Sequence, residues 1–193
     1  MSFNVVNIVD LISSVGEEEI RSALDEFECS KNPEIEKFLK NNAVNFAKRK
    51  ISVTHLILDD VGQIVAYFTL THKSVNIAAE NLSKSALKTL SRYAILDADS
   101  SSFNISAFLI AQFGKNTAYA GSSHISGNQM MNFCFGILES VQKQVGGGIV
   151  FLECEDKKQL LNFYQNKSNS FRVYGERFSE TEKTKYIQLL RFF

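Results

Sequence analysis

The chain has no tryptophan, one proline and three cysteines in 193 residues, and no net charge, with 21 Lys+Arg against 21 Asp+Glu. Each shortage closes off a class of protein. Cys29, Cys134 and Cys154 are odd in number and far apart, so the sequence offers neither a disulfide framework nor the short paired spacing of a zinc site. A reducing cytoplasm is the expected home, and no metal site is expected. Balanced charge removes long-range attraction to nucleic acid or anionic membrane as a default and leaves only a local basic face for that purpose. The opening MSFNVVNIVDLISSVGEEE has no basic start and carries Asp10 inside its apolar part, so neither signal peptide nor membrane anchor is expected. No run approaches the roughly 18 apolar residues of a membrane span, and neither internal repeat nor low-complexity linker is visible.

What the chain does have is aromatic mass: sixteen Phe and six Tyr in a composition that is 45% hydrophobic. A chain of this size buries roughly two thirds or more of its unfolded surface, enough for one domain with a proper core. The apolar spacing predicts two short helices over 5–28, separated at Gly16, then a helix from Asn32-Pro33 to Lys50 with acidic residues in its first turn and Lys48, Arg49 and Lys50 at its end. Val53 to Leu58 and Ile64 to Leu70 read as strands joined by the hairpin loop Asp59 to Gln63. A helix is expected over 79–95, a buried strand over Phe108 to Phe113, and an amphipathic helix over Ser126 to Val145 that ends at Gly146-Gly147-Gly148. A strand over Gly148 to Cys154, a short acidic helix, and antiparallel strands over Phe171 to Tyr174 and Tyr186 to Phe192 complete one mixed α/β domain.

Read on their own, few residues announce chemistry. His124 lies among serines, but there is no G-x-S-x-G elbow and no placed acid, so an exposed loop histidine is favoured over a hydrolase. His55 and His72 fall in the two strands of the hairpin, away from any Cys or acid pattern. Glu153 and Glu155 share one face at the end of a strand and Cys154 the other; on the residues alone a solvated strand end is favoured over a general base for both acids. Lys84, Lys88 and Arg92, four apart, make a basic stripe that suits either phosphates or water.

The order of the second half carries a resemblance. The run FLIAQFGKN (Phe108 to Asn116), the loop and helix SSHISGNQMM (Ser122 to Met131), IVFLEC (Ile149 to Cys154), then Asn162-Phe163-Tyr164 and Phe171 resemble the coenzyme A half of the GNAT N-acetyltransferases. Upstream, FLKNNAVNF, THLILDD and IVAYFTLT resemble the toxin-like branch of that family. The resemblance implies a GNAT fold: a mixed, mostly antiparallel sheet of six or seven strands flanked by helices and splayed between its fourth and fifth strands, with residues 1–30 as an N-terminal helical extension. It implies acetyl-CoA as the acetyl donor. The pyrophosphate would be met by Ser122, Ser123, His124, Ile125, Ser126, Gly127 and Asn128 at the start of a helix, where backbone N–H groups receive anions.

The family pattern Arg/Gln-x-x-Gly-x-Gly/Ala survives there in one register only at Gly127, and in a register two residues later at His124 and Gly127. Backbone amides around Gln112, Phe113 and Gly114 would face the developing oxyanion. Tyr164 matches the tyrosine that protonates the departing sulfur; a phenol with an ordinary pKa near 10 is in the acid form at neutral pH. Glu153 is the candidate base. Two extra residues precede Phe171, and Ser170 stands where the family has glycine. The expected activity is transfer of acetyl to a primary amine, on a small molecule or a protein. The alternatives are an acetylating toxin acting on charged tRNA and an inactive module that binds coenzyme A or a partner. The apolar end IQLLRFF suits a homodimer contact and an internal strand equally.

Overall fold

A computed structural model describes residues 2–119 and 125–193. In chain order the elements are β1 (Asn4–Asn7), α1 (Ile8–Val15), α2 (Glu17–Asp25), α3 (Pro33–Asn41), α4 (Ala43–Lys48), β2 (Val53–Leu58) and β3 (Ile64–Ala78). A 3-10 turn (Ala79–Asn81) leads to α5 (Lys84–Leu90), β4 (Leu96–Asp97), β5 (Ser102–Lys115) and α6 (Gly127–Val145). The chain then makes β6 (Ile149–Glu155), α7 (Lys158–Gln165), β7 (Arg172–Ser179) and β8 (Thr184–Phe192). The strands join in the order β1-β2-β3-β5-β6-β8-β7, with β4 paired to β5. The β1–β2, β2–β3, β4–β5, β6–β8 and β7–β8 pairs are antiparallel. β5 and β6 run parallel, matching Phe108 to Val150 and Leu109 to Phe151.

By its contacts the chain forms two compact units, Met1–Thr71 with Ile110–Ile137, and His72–Leu109 with Leu138–Phe193. The first unit buries Ile8, Ile20, Leu24, Phe27, Leu39, Val44, Leu56 and Tyr67 against one another. The second buries Val75, Ile77, Leu90, Phe103, Ile105, Phe151, Tyr174 and Leu190.

Several expectations change in physical detail. The start is not wholly helical: Asn4–Asn7 is a strand on β2, pairing Asn4 with Leu58 and Asn7 with His55, so sheet pairing overrides the apolar spacing read there. Asn7 then caps α1, its Oδ1 accepting from Val9 N at 2.8 Å. The helix expected to reach Lys50 breaks at Asn42 into α3 and α4. The helix expected over 79–95 contracts to α5, where Ser83 Oγ accepts from Ala86 N at 3.2 Å, because the Tyr93 and Ala94 amides both turn back onto Leu90 O.

The largest difference is strand length. β3 runs 15 residues and β5 runs 14, well beyond Leu70 and upstream of Phe108. Phe103, Ile105 and Ala107 are buried while Asn104 and Ser106 are exposed, a period-2 alternation with small polar residues on the open face. The sheet accordingly has eight strands, counting the two-residue β4.

Candidate active site

The first unit holds the end of β5 and the start of α6. At Gly114 the backbone passes so close to α3 that an added Cβ would lie 2.3 Å from Ile35 Cγ2 and 3.6 Å from the Tyr67 ring. Tyr67, fully buried, donates its hydroxyl to Ile35 O at 2.5 Å and fixes α3 in that position. Gln112 and Phe113 precede Gly114 on the strand and are half-buried.

Just beyond, Asn116 clasps three stretches of chain. Its Oδ1 accepts from Glu28 N at 3.1 Å and Ala118 N at 3.0 Å, and its Nδ2 donates to Ile64 O at 2.8 Å. Thr117 N donates to Glu28 O at 2.7 Å, so the segment between α2 and α3 is laced to the strand exit. Burial, and then the like charge of Lys31, pull the pKa of Lys115 below its ordinary value. The sequence reading missed Asn116; its signal was an asparagine directly after a strand, a residue that satisfies neighbouring backbone groups.

α6 begins at Gly127 behind a capping box. Ser126 Oγ accepts from Gln129 N at 3.1 Å, and Gln129 Oε1 accepts from Ser126 N at 2.9 Å and from Ser126 Oγ at 2.8 Å. Two N-terminal amides are thus satisfied by the helix's own side chains, and Ile125 is buried. The amides of Gly127 and Asn128 belong to the same first turn, where the helix dipole favours an anion. Ser122, Ser123 and His124 lie outside the described residues. Along α6, Met130, Met131, Cys134 and Leu138 are buried, the face the spacing predicted.

The second unit holds Glu153 and Tyr164. Glu153, on β6, is engaged at both oxygens: Oε2 accepts from Arg177 Nε at 2.7 Å and Nη2 at 2.6 Å, and Oε1 accepts from Gln188 Nε2 at 2.8 Å. Burial by itself would raise its pKa, but the hydrogen bonds from Arg177 and Gln188, with the charges of Arg177 and Lys73, hold the carboxyl below its ordinary value. Glu155 pairs with Lys157. Arg177 also lies over the Tyr186 ring at 4.7 Å, and Lys73 over Phe151 at 5.5 Å. The buried Tyr174 hydroxyl has no hydrogen-bond partner among the described residues. Neither Arg177 nor Gln188 could be assigned to Glu153 from sequence, because the pairing of β6 with β8 and of β8 with β7 brings them there, and Lys73 comes from the distant strand β3.

Tyr164 sits on the last turn of α7 and is buried. Its ring packs edge-on against Phe163 at 5.0 Å and Phe171 at 5.9 Å. Phe171 N donates to Tyr164 O at 3.0 Å, closing the loop between them. Ser170, where the family has glycine, adopts φ 55°, the left-handed conformation that explains the glycine preference.

The overall arrangement has relatives of known structure. AtaT complexed with acetyl-methionyl-tRNAfMet matches with a TM-score of 0.64 and 18% identity, over 96% of this chain and 94% of that one. The fold is that of GNAT acetyltransferases. A tyrosine-to-phenylalanine variant of AtaT, bound to the C-terminus of the antitoxin AtaR and to acetyl-CoA, shares this GNAT fold at a TM-score of 0.62 and 16% identity, over 100% of this chain and 94% of that one. A tyrosine-to-phenylalanine variant of KacT shares it at 0.63 and 14% identity, over 97% and 95%. No family profile and no curated protein matches the sequence. Likeness at these identities is a statement about the GNAT fold. Among the described residues, no helix is long and apolar enough to cross a membrane.

Proposed function

We propose that this protein is an N-acetyltransferase that moves an acetyl group from acetyl-CoA to a primary amine by direct attack. The observation that carries the reading is the seat of Tyr164, a buried phenol on the last turn of α7, in a chain whose GNAT fold matches acetyl-CoA-bound AtaT along its whole length. Acetyl-CoA, when bound, supplies a thioester carbonyl for the amine to attack. The backbone of Gln112, Phe113 and Gly114 positions amide donors for the oxygen of that carbonyl, and the tight passage of Gly114 past Ile35 keeps the strand exit in place. The proposed phosphate contacts are Ser122, Ser123, His124, Ile125, Ser126, Gly127 and Asn128, where the chain enters α6.

Tyr164 gives its hydroxyl proton to the sulfur that leaves as the carbon–sulfur bond breaks. Glu153 is the proposed acceptor of the amine proton, directly or through water. Its ion pair with Arg177 keeps it in the carboxylate form that acceptance requires, at the cost of basicity, so its share of the rate is smaller than that of Tyr164.

The test is acetylation by the wild-type protein and by Tyr164→Phe against a panel of amines, proteins and charged tRNA, beside calorimetric titration with acetyl-CoA. Loss of kcat by about 10²-fold in Tyr164→Phe, with acetyl-CoA affinity kept, is the expected result. An unchanged rate removes Tyr164 from the mechanism. Tight binding without turnover of any acceptor would favour an inactive binding module instead.

Charged tRNA is the second reading for the acceptor. AtaT has been captured with an acetylated methionyl-tRNA, and Lys84 and Lys88 are exposed on α5 here, with Arg92 exposed just past its end. On that reading the protein acts as a toxin.

A further inference from the structure

We propose that Asn169 is a positioning residue that sets the ring of Tyr164, an inference that rests on the reading of Tyr164 as the acid. The final carbonyls of any helix lack intrahelical donors. At the end of α7 this chain supplies them from its own loop: Asn169 Nδ2 donates to Phe163 O at 2.7 Å, Phe171 N to Tyr164 O at 3.0 Å, and Ser170 N to Asn166 O at 2.8 Å. Asn169 N in turn donates to Asn166 Oδ1 at 2.8 Å.

Asn169 is 1% exposed, in a loop whose neighbours Lys167, Ser168 and Ser170 are exposed. A buried amide at the tip of a surface loop is costly unless its polar atoms are paired, and this one is spent on the carbonyl next to Tyr164. The chemistry is specific to the amide. Aspartate has the same shape but no N–H to donate, and would set a carboxylate against the Phe163 carbonyl.

The loop from Tyr164 to Phe171 is about two residues longer than the family pattern. Phe171 is the ring against which Tyr164 packs at 81°. A longer loop would leave Phe171, and with it the phenol, loosely placed. Asn169 removes that freedom by tying the loop back to the helix end, and Ser170 makes the left-handed turn that follows.

The experiment uses the full chain with Asn169→Asp and Asn169→Ser, each alone and combined with Tyr164→Phe. All proteins carry tyrosine labelled with carbon-13 at Cζ; with six tyrosines, the Tyr164 resonance is assigned by its loss in Tyr164→Phe. The expected result is a shift of the Tyr164 resonance in both variants with the other tyrosines in place. Their kcat should fall by roughly tenfold or more at unchanged acetyl-CoA KM, a loss that disappears in the Tyr164→Phe background. An unmoved Tyr164 resonance, or an equal loss of kcat in both backgrounds, overturns the proposal. If the wild-type protein acetylates nothing, the acid reading fails separately, and the resonance alone decides whether Asn169 places the ring. Should Asn169→Asp fail to fold, Asn169→Ser, which keeps a donor at shorter reach, carries the same measurements.

Discussion

His55 illustrates how a single residue can set a pH response. It lies in β2, 8% exposed, stacked on Phe68 at 5.2 Å, and its Nδ1 has no hydrogen-bond partner among the described residues. Burial pushes its pKa down to about 4, against the weaker opposing pull of the Val53 backbone and Asp10. The folded protein therefore holds His55 neutral, while the unfolded chain protonates it as soon as pH falls through about 6.5. Stability from this group is complete above that pH, declines as pH falls toward 4, and levels out below; the loss is on the order of 3 kcal/mol. Urea unfolding of wild type and His55→Gln between pH 7 and 4 should show the wild type losing more stability than the variant, and parallel curves would refute it. Cys154 gives a second residue-scale expectation. Burial, then the charges of Asp156 and Glu155, raise its pKa to about 11, and Cys29 and Cys134 are buried as well. A thiol reagent at pH 7.5 should leave all three cysteines unlabelled until denaturant is added; fast labelling of the folded protein would contradict this.

At the scale of elements, Gly114 is where β5 and α3 meet, and there is no room for a methyl group 2.3 Å from Ile35. Gly114→Ala should cost about 1–3 kcal/mol of stability through overpacking, and removing the Cγ2 branch at position 35, as in Ile35→Leu, should restore part of it. A double-mutant comparison by thermal melting checks this; additive losses would mean that the strand end relaxes away from α3. The elements were unevenly legible. α6 was read correctly because a strong apolar face from Met130 to Leu138 ends at Gly146 and Gly147, both at positive φ. The outer parts of β3 and β5 were missed because serines, threonines and asparagines on the open face of a strand look like loop when their buried partners across the sheet are unknown.

For the whole molecule, zero net charge means that any nucleic-acid binding must come from a local face. If charged tRNA is the acceptor, Lys84→Glu/Lys88→Glu should weaken tRNA binding at low salt by at least tenfold and flatten its salt dependence, while acetyl-CoA binding stays as in the wild type. Filter binding across a salt series measures it, and an unchanged slope would take α5 out of the interface.

The sequence by itself determined the α/β class, the order of elements through the second half, the apolar face of α6 and the place of Tyr164 after β6. These follow from periodicities of 2.0 and 3.6 residues and from glycine and asparagine at breaks, information that is local along the chain. Only the tertiary structure decided that Asn4–Asn7 joins the sheet, that Glu153 is gripped by Arg177 and Gln188, that Asn116 clasps the segments at the exit of β5, and that Asn169 ties its loop to the end of α7. Each of those depends on a hydrogen-bond partner that the local sequence pattern does not name. A side chain's chemistry is fixed by its identity, but its protonation and its job are fixed by which groups the fold brings within about 3 Å of it.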